Sequence, residues 1–432
     1  MPALVIGLVV GAASSLAPGP PIAAPEARAV SPAPPPRSIG LRSDANISLA
    51  TRAAPAAWQK RISAIVAGKS VGVAVRLDDT VLYERKARGA RTPASNQKLL
   101  LSMALFDLLG PSTRIVTKAA ARKVDGNVVR SDVYVLGTGD PTVTGGGRFG
   151  TSLPLRPTRL KRLARHIKAA GVTRIDGRVV GSVNFFAHDW FAPGWKSDFP
   201  SRYVALPSAL TFDGNSHKGI HFADPERRAA VSLTKKLEAV GVAVDGEPAA
   251  GHPPDGLTAL AQVHSEPIRV LARFMNRTSS NFFAEVLGKR LGAESIGRPG
   301  TIAKAAAAIR RWSRRLDVTI KARDASGLSY RNRVSPRGIT RLLDAADDER
   351  WWHGLRSSLP TGGEGTLENR LTGVRVRAKT GTLEGFSALS GWVWLTRRAE
   401  WAPFSILSAG MPKYKATSVE DRIVRILESR AR

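Results

Sequence analysis

The chain has no cysteine in 432 residues, which excludes a thiolate nucleophile, an iron–sulfur cluster, a cysteine-ligated zinc site, a lipidated cysteine and any disulfide. Metal ligands are scarce as well. The seven histidines form no HExxH or HxH pair, and His221, His264 and His353 stand alone. Negative charge is also in short supply. Against 65 Lys and Arg there are 35 Asp and Glu, a formal charge of +30, so the natural partners are polyanions: nucleic acid, an anionic membrane or an anionic cell-envelope polymer. No nucleic-acid-binding motif accompanies the charge. Its densest cluster, Arg310, Arg311, Arg314 and Arg315, is spaced helically around Trp312 and reads as solvated surface. The apolar run Ala3 to Ala17 falls short of the roughly 20 residues that span a bilayer.

That run precedes a small-residue site, Ala27-Arg28-Ala29, and reads as a secretory signal peptide or N-terminal anchor over residues 1–29, although Met1-Pro2 supplies no basic side chain. A Pro-rich linker over residues 30–43 follows. The protein is therefore expected outside the cytoplasm, secreted or anchored at the outer face of the membrane.

The remaining composition, 43% apolar and 23% charged, is globular, and the length calls for more than one core or for a large insertion. Ala56 to Ala67 reads as a helix, followed by a hairpin of Val71 to Val75 and Val81 to Arg85 around Asp78-Asp79-Thr80. Asn96 to Leu109 is apolar on nearly every face and reads as a central, buried helix. From Thr117 to Leu260 the texture shifts to short strands, glycine-rich turns and two similar units. Leu163 to Val172 ends in Asp176-Gly177 and Leu233 to Val242 in Asp245-Gly246, each a helix stopped by glycine and returned into a strand. Helices are expected at Pro267 to Met275, Asn281 to Leu291, Thr301 to Arg315 and Gly338 to Ala346. The strands Val374 to Thr380, Ser387 to Leu395 and Pro403 to Ala409 then precede a helix from Val419 to Leu427 behind Ser418. Strands at both ends with helices between fit one sheet assembled from the two termini. The expected organisation is a discontinuous domain of residues 44–116 and 261–432, interrupted by an α/β insert of residues 117–260.

Several motifs fail their structural context. Gly68-Lys69-Ser70-Val71-Gly72 matches G-x-S-x-G, but helix precedes strand where a nucleophile elbow needs the reverse, and Ser63 occupies the position of a P-loop's first glycine. Gly145 to Gly150 fits G-x-G-x-x-G, yet Pro154 and Pro157 block the helix a phosphate site needs, so a flexible loop is expected.

Ser95-Asn96-Gln97-Lys98 survives. A serine opening a helix with lysine three residues on places hydroxyl and amine on one face, so an unprotonated Lys98 can take the Ser95 proton without histidine. Lowering a lysine pKa from ~10.4 to ~7.4 costs about 4 kcal/mol, which requires burial and a neighbouring cation. S-x-x-K alone is weak, since Ser232-Leu233-Thr234-Lys235 repeats it. Two further elements add specificity: Ser279-Ser280-Asn281 before a helix, and Lys379-Thr380-Gly381, the only K-[ST]-G in the chain.

With these three motifs in this order, the sequence resembles the penicillin-binding proteins, most closely the low-molecular-mass class C members, the D-alanyl-D-alanine carboxypeptidase/endopeptidase family. The resemblance runs from about Thr51 to the C-terminus. It includes Thr92 to Lys98, Gly139-Asp140-Pro141-Thr142, Asp324 to Ser329 and Gly365-Thr366-Leu367. It implies an α+β, serine penicillin-recognising (β-lactamase/transpeptidase-like) domain: an antiparallel sheet flanked by helices, with a large α/β insertion between S-x-x-K and S-x-N. It also implies roles. Ser95 is the acylated nucleophile, Lys98 its base, and Ser279 with Asn281 the proton relay and substrate-amide contact. Lys379 tunes Lys98 and Ser279, Thr380 and Thr382 bind the terminal carboxylate of D-Ala-D-Ala, and Gly381 lets substrate lie against the strand edge. The oxyanion hole falls to the backbone N–H groups of Ser95 and Thr382. Peptidoglycan peptides are the implied substrates and β-lactams the covalent inhibitors, with no metal or organic cofactor. Anionic wall polymers are a further partner expected from the charge of the insert, and nucleic acid is not.

Two departures stand out. Ser280 occupies a position where many relatives carry Asp, and Tyr330-Arg331-Asn332 offers a competing Y-x-N motif, to which Ser279/Asn281 is preferred. Ser182-Val183-Asn184 is a further S-x-N in a strand-like stretch. The alternatives are a β-lactamase-like hydrolase, for which Glu364 to Asn369 is a poor match to the deacylating element, and a non-catalytic wall-binding protein.

Overall fold

The computed structural model describes residues 55–431. Helix α1 (Ala57–Ile65) buries Trp58, Ile62 and Ile65 and leads into a hairpin of β1 (Ser70–Leu77) and β2 (Thr80–Arg85). A 3-10 turn, Ala94–Asn96, opens α2 (Gln97–Leu108), in which every residue from Gln97 to Phe106 is buried. The intervening block contains β3 (Arg114–Ala121), β4 (Val124–Asp125), β5 (Val128–Val129), β6 (Val133–Leu136), α3 (Arg148–Ser152), α4 (Leu160–Ala169), β7 (Arg174–Ser182), α5 (Phe199–Arg202), β8 (Ser216–His217), β9 (Ile220–His221), α6 (Pro225–Glu238), β10 (Ala243–Gly251) and β11 (Thr258–Pro267). Helices return as α7 (Ile268–Thr278), α8 (Asn281–Ser295), α9 (Ile302–Arg314), α10 (Pro336–Asp347) and α11 (Trp352–Ser358). Then come β12 (Val376–Leu383), β13 (Phe386–Leu395), β14 (Glu400–Ala409) and α12 (Lys413–Arg430).

The first and last strands meet in one antiparallel sheet, ordered β12-β13-β14-β1-β2. The two-residue period of a strand assigns its faces. Val71, Val73 and Val75 of β1, Leu389 and Val393 of β13, and Ala402, Phe404 and Ile406 of β14 pack with α1 and with Val419, Ile423 and Leu427 of α12. Ala388, Trp392 and Leu407 turn the other way, into a core formed by α2, α7, α8, α9 and α10. The sheet thus lies between two helical layers, and β12 is an edge strand whose first residues are covered, Ala378 N donating to Pro360 O at 3.1 Å and Val376 O accepting from Thr361 Oγ1 at 2.9 Å. The mixed α+β architecture follows from this alternation.

A second sheet, ordered β11-β3-β6-β7-β5-β4 with β10 also on β7, lies between α2 and α7 in the chain. Its two similar units, α4–β7 and α6–β10, stop their helices at Gly171 and Gly241, with φ +91° and +76°, and lay the following strands parallel. Asp176-Gly177 and Asp245-Gly246 fall inside those strands rather than ending the units. Leu163, Ile167, Leu233 and Leu237 share one core with Ile175 and Val179.

Two local expectations are corrected. Gly145 to Gly150 is not a loop throughout: Gly147 precedes the short helix α3, and Pro154 and Pro157 lie past its end, where they block only its continuation. α12 begins at Lys413, after Pro412, not behind Ser418. Its first residues Lys413, Tyr414 and Lys415 are exposed, so no apolar period marks that turn.

Trp392 is fully buried and donates from Nε1 to Asp347 Oδ2 at 2.9 Å, joining β13 to the end of α10. Replacing Trp392 by Ala is expected to cost about 3–5 kcal/mol in urea unfolding.

Candidate active site

Ser95 is half-buried on the 3-10 turn that precedes α2, and three features fix that turn. Asn96 Nδ2 donates to Ser390 Oγ at 2.7 Å, and Ser390 Oγ to Ser405 Oγ at 2.8 Å, so the turn is tied to β13 and β14. Ala94 has φ +46°, an uncommon conformation for a residue with a Cβ, directly before the nucleophile candidate. Two glycines then let neighbouring backbone close in. A Cβ on Gly327 would lie 1.9 Å from Ala94 O, and one on Gly381 would lie 2.7 Å from Pro93 O and 3.1 Å from Ser95 N. The lack of a Cβ at Gly381 thus lets the turn carrying Ser95 close against β12.

Lys98, one turn further on, is fully buried. Its Nζ lies 3.1 Å from Ser95 Oγ, 2.8 Å from Asn281 Oδ1 and 2.6 Å from Ser326 O. Burial lowers its pKa to about 7, opposed by the charges of Asp324 and Glu285. The cause is desolvation, rather than the neighbouring cation that the motif alone suggests. Lys379, buried on β12, donates to Ser279 Oγ at 3.0 Å and to Thr380 O at 2.8 Å. Its pKa is driven well below the ordinary lysine value by burial and then by the Lys98 charge. Two amines in one dry region disfavour double protonation.

Ser279 ends α7 in the left-handed region, φ +56°, which turns its hydroxyl toward Lys379. Ser280 caps α8, its Oγ accepting from Phe283 N at 3.3 Å. Ser, like the Asp that the resemblance leads one to expect at this position, caps helices well. Asn281 accepts from Lys98 through Oδ1 and donates through Nδ2 to Tyr203 O at 3.1 Å.

The competing motifs lie elsewhere. Asn332 is buried, donating to Asp324 Oδ1 at 2.7 Å and accepting from Arg323 N at 2.7 Å, although Tyr330 does line the cleft. Lys235 is exposed on α6, and Ser182 is buried at the end of β7.

Ser95, Ser279, Asn281, Thr380 and Thr382 line one cleft of about 970 Å³, with Lys98 and Lys379 beneath its floor. The end of β12, at Thr382 and Leu383, forms one wall, where an extended peptide can pair with the strand edge. Sequence reasoning placed Asp324 and Ser326 only within the resemblance, with no role given them, and missed Glu285 and Tyr203. Two of these four, Ser326 and Tyr203, act through carbonyls, which carry no residue identity. The only signals were an Asp three residues before a glycine that must adopt positive φ, and a lone acid inside the apolar stretch of α8. Among the described residues no group of three or more His, Asp and Glu forms a metal-binding cluster.

This arrangement is that of the serine penicillin-recognising fold, and comparison with known proteins agrees. Penicillin binding protein 4 of Haemophilus influenzae superimposes with a TM-score of 0.73 at 19% identity, over 85% of this chain and 99% of that one. A predatory endopeptidase of Bdellovibrio bacteriovorus superimposes with a TM-score of 0.51 at 16% identity, over 83% and 92%. By sequence, the carboxypeptidase DacB of Mycolicibacterium smegmatis is 27% identical over 93% of this chain and 90% of its own length. A D-alanyl-D-alanine carboxypeptidase of an Actinomadura species is 28% identical over 80% and 79%. The chain belongs to the D-Ala-D-Ala carboxypeptidase 3 (S13) family, whose profile matches residues 59–219 and 216–430.

Because Gly381 abuts Pro93 O and Ser95 N, Gly381→Ala is expected to displace the nucleophile turn. Acylation by benzylpenicillin should slow at least tenfold, and urea unfolding should show a loss of about 1–3 kcal/mol from overpacking.

Proposed function

We propose that the protein is a serine-type D-Ala-D-Ala carboxypeptidase acting on peptidoglycan stem peptides through an acyl-enzyme on Ser95. One observation carries the reading: a buried lysine with a pKa of about 7 lies within hydrogen-bond reach of a half-exposed serine at the floor of a cleft. Lys98 takes the Ser95 proton as Oγ attacks the carbonyl carbon of the penultimate D-Ala. The oxyanion is held by the Ser95 and Thr382 N–H groups, each contributing about 3 kcal/mol in comparable sites. Ser279, held by Lys379, passes a proton to the nitrogen of the departing D-Ala. Asn281 contacts the peptide amide, and Thr380 and Thr382 receive the terminal carboxylate. Water then cleaves the acyl-enzyme by the same proton path in reverse. A cross-linked peptide presents the same bond with a larger leaving group, so endopeptidase activity requires no other chemistry. A β-lactam opens its ring on Ser95 and keeps its leaving group tethered. Of the stretch weighed as a β-lactamase's deacylating element, Glu364 lies 3.4 Å from the Arg277 guanidinium, while Glu368 and Asn369 line the cleft.

This activity belongs outside the cytoplasm, at the wall. Residues 1–29, the expected signal or anchor, and the linker of residues 30–43 lie outside the described residues. Among the described residues no helix is long and apolar enough to cross a membrane. We take residues 117–260 as an inserted domain within a catalytic domain of residues 44–116 and 261–432. A wall-polymer contact falls on this insert. Arg156, Arg159 and Arg162 of the insert line a second cleft, of about 490 Å³, at the start of α4, with Arg114, His264 and Glu266 joining from its flanks and Glu266 lying 3.9 Å from Arg114. Arg130, Arg174, Arg178 and Arg228 of the same segment pair with carboxylates, whereas no carboxylate stands within ion-pair distance of Arg156, Arg159 or Arg162 among the described residues.

Release of D-alanine from a pentapeptide ending in D-Ala-D-Ala tests the activity. The rate should fall about tenfold per pH unit below pH 7, because protonated Lys98 cannot act as base, and Ser95→Ala should abolish it. Activity retained by Ser95→Ala, or a flat profile from pH 5 to 8, contradicts the reading. For the second cleft, sedimentation with purified walls should weaken at least tenfold in R156Q/R159Q/R162Q and change less than twofold in R61Q/R311Q/R314Q, a control of equal charge. Equal losses in both would reduce the contact to net charge alone.

A further inference from the structure

The loop Asp324–Ser329 lies behind Lys98, and its backbone receives one of the lysine's hydrogens. Ser326 O is the shortest contact of Nζ at 2.6 Å, Asn281 Oδ1 follows at 2.8 Å, and Ser95 Oγ lies at 3.1 Å. A neutral amine has two hydrogens and one lone pair. With its hydrogens on the two carbonyl oxygens, its lone pair is left for the Ser95 hydroxyl, the arrangement that proton abstraction requires.

The peptide unit that supplies Ser326 O continues into Gly327 N–H, which donates to Asp324 Oδ1 at 3.0 Å. One peptide unit therefore links Lys98 to a buried carboxylate. A carboxylate on the amide hydrogen polarises the bond and makes its carbonyl a stronger acceptor. Asp324 is itself fully buried and held by further donors. Asn332 Nδ2 joins Gly327 on Oδ1 at 2.7 Å, while Oδ2 accepts from Ser329 N at 2.7 Å, Trp195 Nε1 at 2.8 Å and Ser326 Oγ at 3.4 Å. Trp195 comes from the segment between β7 and α5, in the insert. That segment holds the loop at two more points, Ser329 Oγ donating to Pro193 O at 2.6 Å and Tyr330 N to Gly194 O at 3.1 Å.

We propose that Asp324, clamped by Trp195 of the inserted segment, is a positioning residue for acylation: through the Ser326–Gly327 peptide it keeps the Lys98 lone pair on Ser95. The inference rests on Ser95 and Lys98 being nucleophile and base. It gives the insert a part in the chemistry, since the serine–lysine pair is oriented by a residue that the insert holds in place. The charged groups acting on Lys98 are Asp324 and Glu285, which favour its protonation, while the Lys98 charge in turn lowers the pKa of Lys379 on β12. Glu285 accepts from Ala325 N at 3.1 Å and Ser326 N at 2.7 Å, supporting the loop from α8, and burial together with the Asp324 charge raises its own pKa.

The test is the rate of penicilloyl-enzyme formation by benzylpenicillin from pH 5 to 9 on the full chain, for wild type, Asp324→Asn and Trp195→Phe, with Ser95→Ala as the blank. Neither 324 nor 195 lines the cleft, so the Kd for penicillin before acylation should hold within twofold. D324N removes the charge that favours protonated Lys98 and turns an NH₂ group against existing donors. Its plateau rate should fall at least tenfold, and its acid limb should move to lower pH. W195F keeps an aromatic ring in the cluster with Phe199 and Val204 but frees the carboxylate from one donor. Its plateau should fall two- to fivefold and its acid limb should move to higher pH. A uniform fall in rate with both limbs unmoved marks a purely structural role and overturns the proposal. If D324N does not fold, W195F decides alone: a limb that stays or moves down overturns it. Absence of any adduct in wild type defeats the Ser95–Lys98 reading and this inference with it, whereas adduct formation with unshifted limbs defeats the inference only.

Discussion

An amine inside a helix with no wet face is the constraint that the rest of this structure serves. Stripping water from an ammonium group costs several kcal/mol, and at Lys98 that cost appears as a pKa of about 7. Once the amine is neutral, the fold must supply acceptors for its hydrogens and a target for its lone pair. It draws them from separate stretches of chain: Ser95 from the preceding turn, Asn281 from the start of α8 and Ser326 O from the loop before α10. Lys379 arrives from β12, its own pKa driven down by burial and by the Lys98 charge. The motifs are far apart in sequence because one buried group must be approached from several directions.

Close approach on this scale leaves marks on the backbone. Ala94 and Ser279, on either side of the cleft floor, both have positive φ without being glycine. Gly327 and Gly381 bring the backbone of two other elements against the nucleophile turn. The stretch from β7 through α5 takes part too: Tyr203 O, just past α5, accepts from Asn281 Nδ2, and Trp195 Nε1 donates to Asp324 Oδ2. The residues between S-x-x-K and S-x-N therefore hold the site as well as adding a second sheet.

Legibility in the sequence follows the range of the forces. The pairing of Ser95 with Lys98 is set by helix geometry within one turn, and the apolar run around it announces burial. The alternation in β1, β13 and β14, and the glycine stops at Gly171 and Gly241, are equally local. What depends on distant backbone is not readable. Ser326 and Tyr203 contribute carbonyls, so no side-chain type betrays them. The approach of Pro93 O to Gly381 is set by a segment far away in sequence. The exposed first turn of α12 carries no apolar period. Burial also separates the two copies of the motif: Ser232-x-x-Lys235 has the same spacing as Ser95-x-x-Lys98, but Lys235 is exposed on α6 whereas Lys98 is fully buried.

The central claim is that Ser95 is a nucleophile activated by the buried lysine beside it. Intact mass spectrometry after incubation with benzylpenicillin, followed by peptide mapping, tests it most directly. The account predicts one penicilloyl group per chain, located on Ser95 and absent from Ser95→Ala. No adduct and no loss of penicillin, or an adduct that persists in Ser95→Ala, would contradict it.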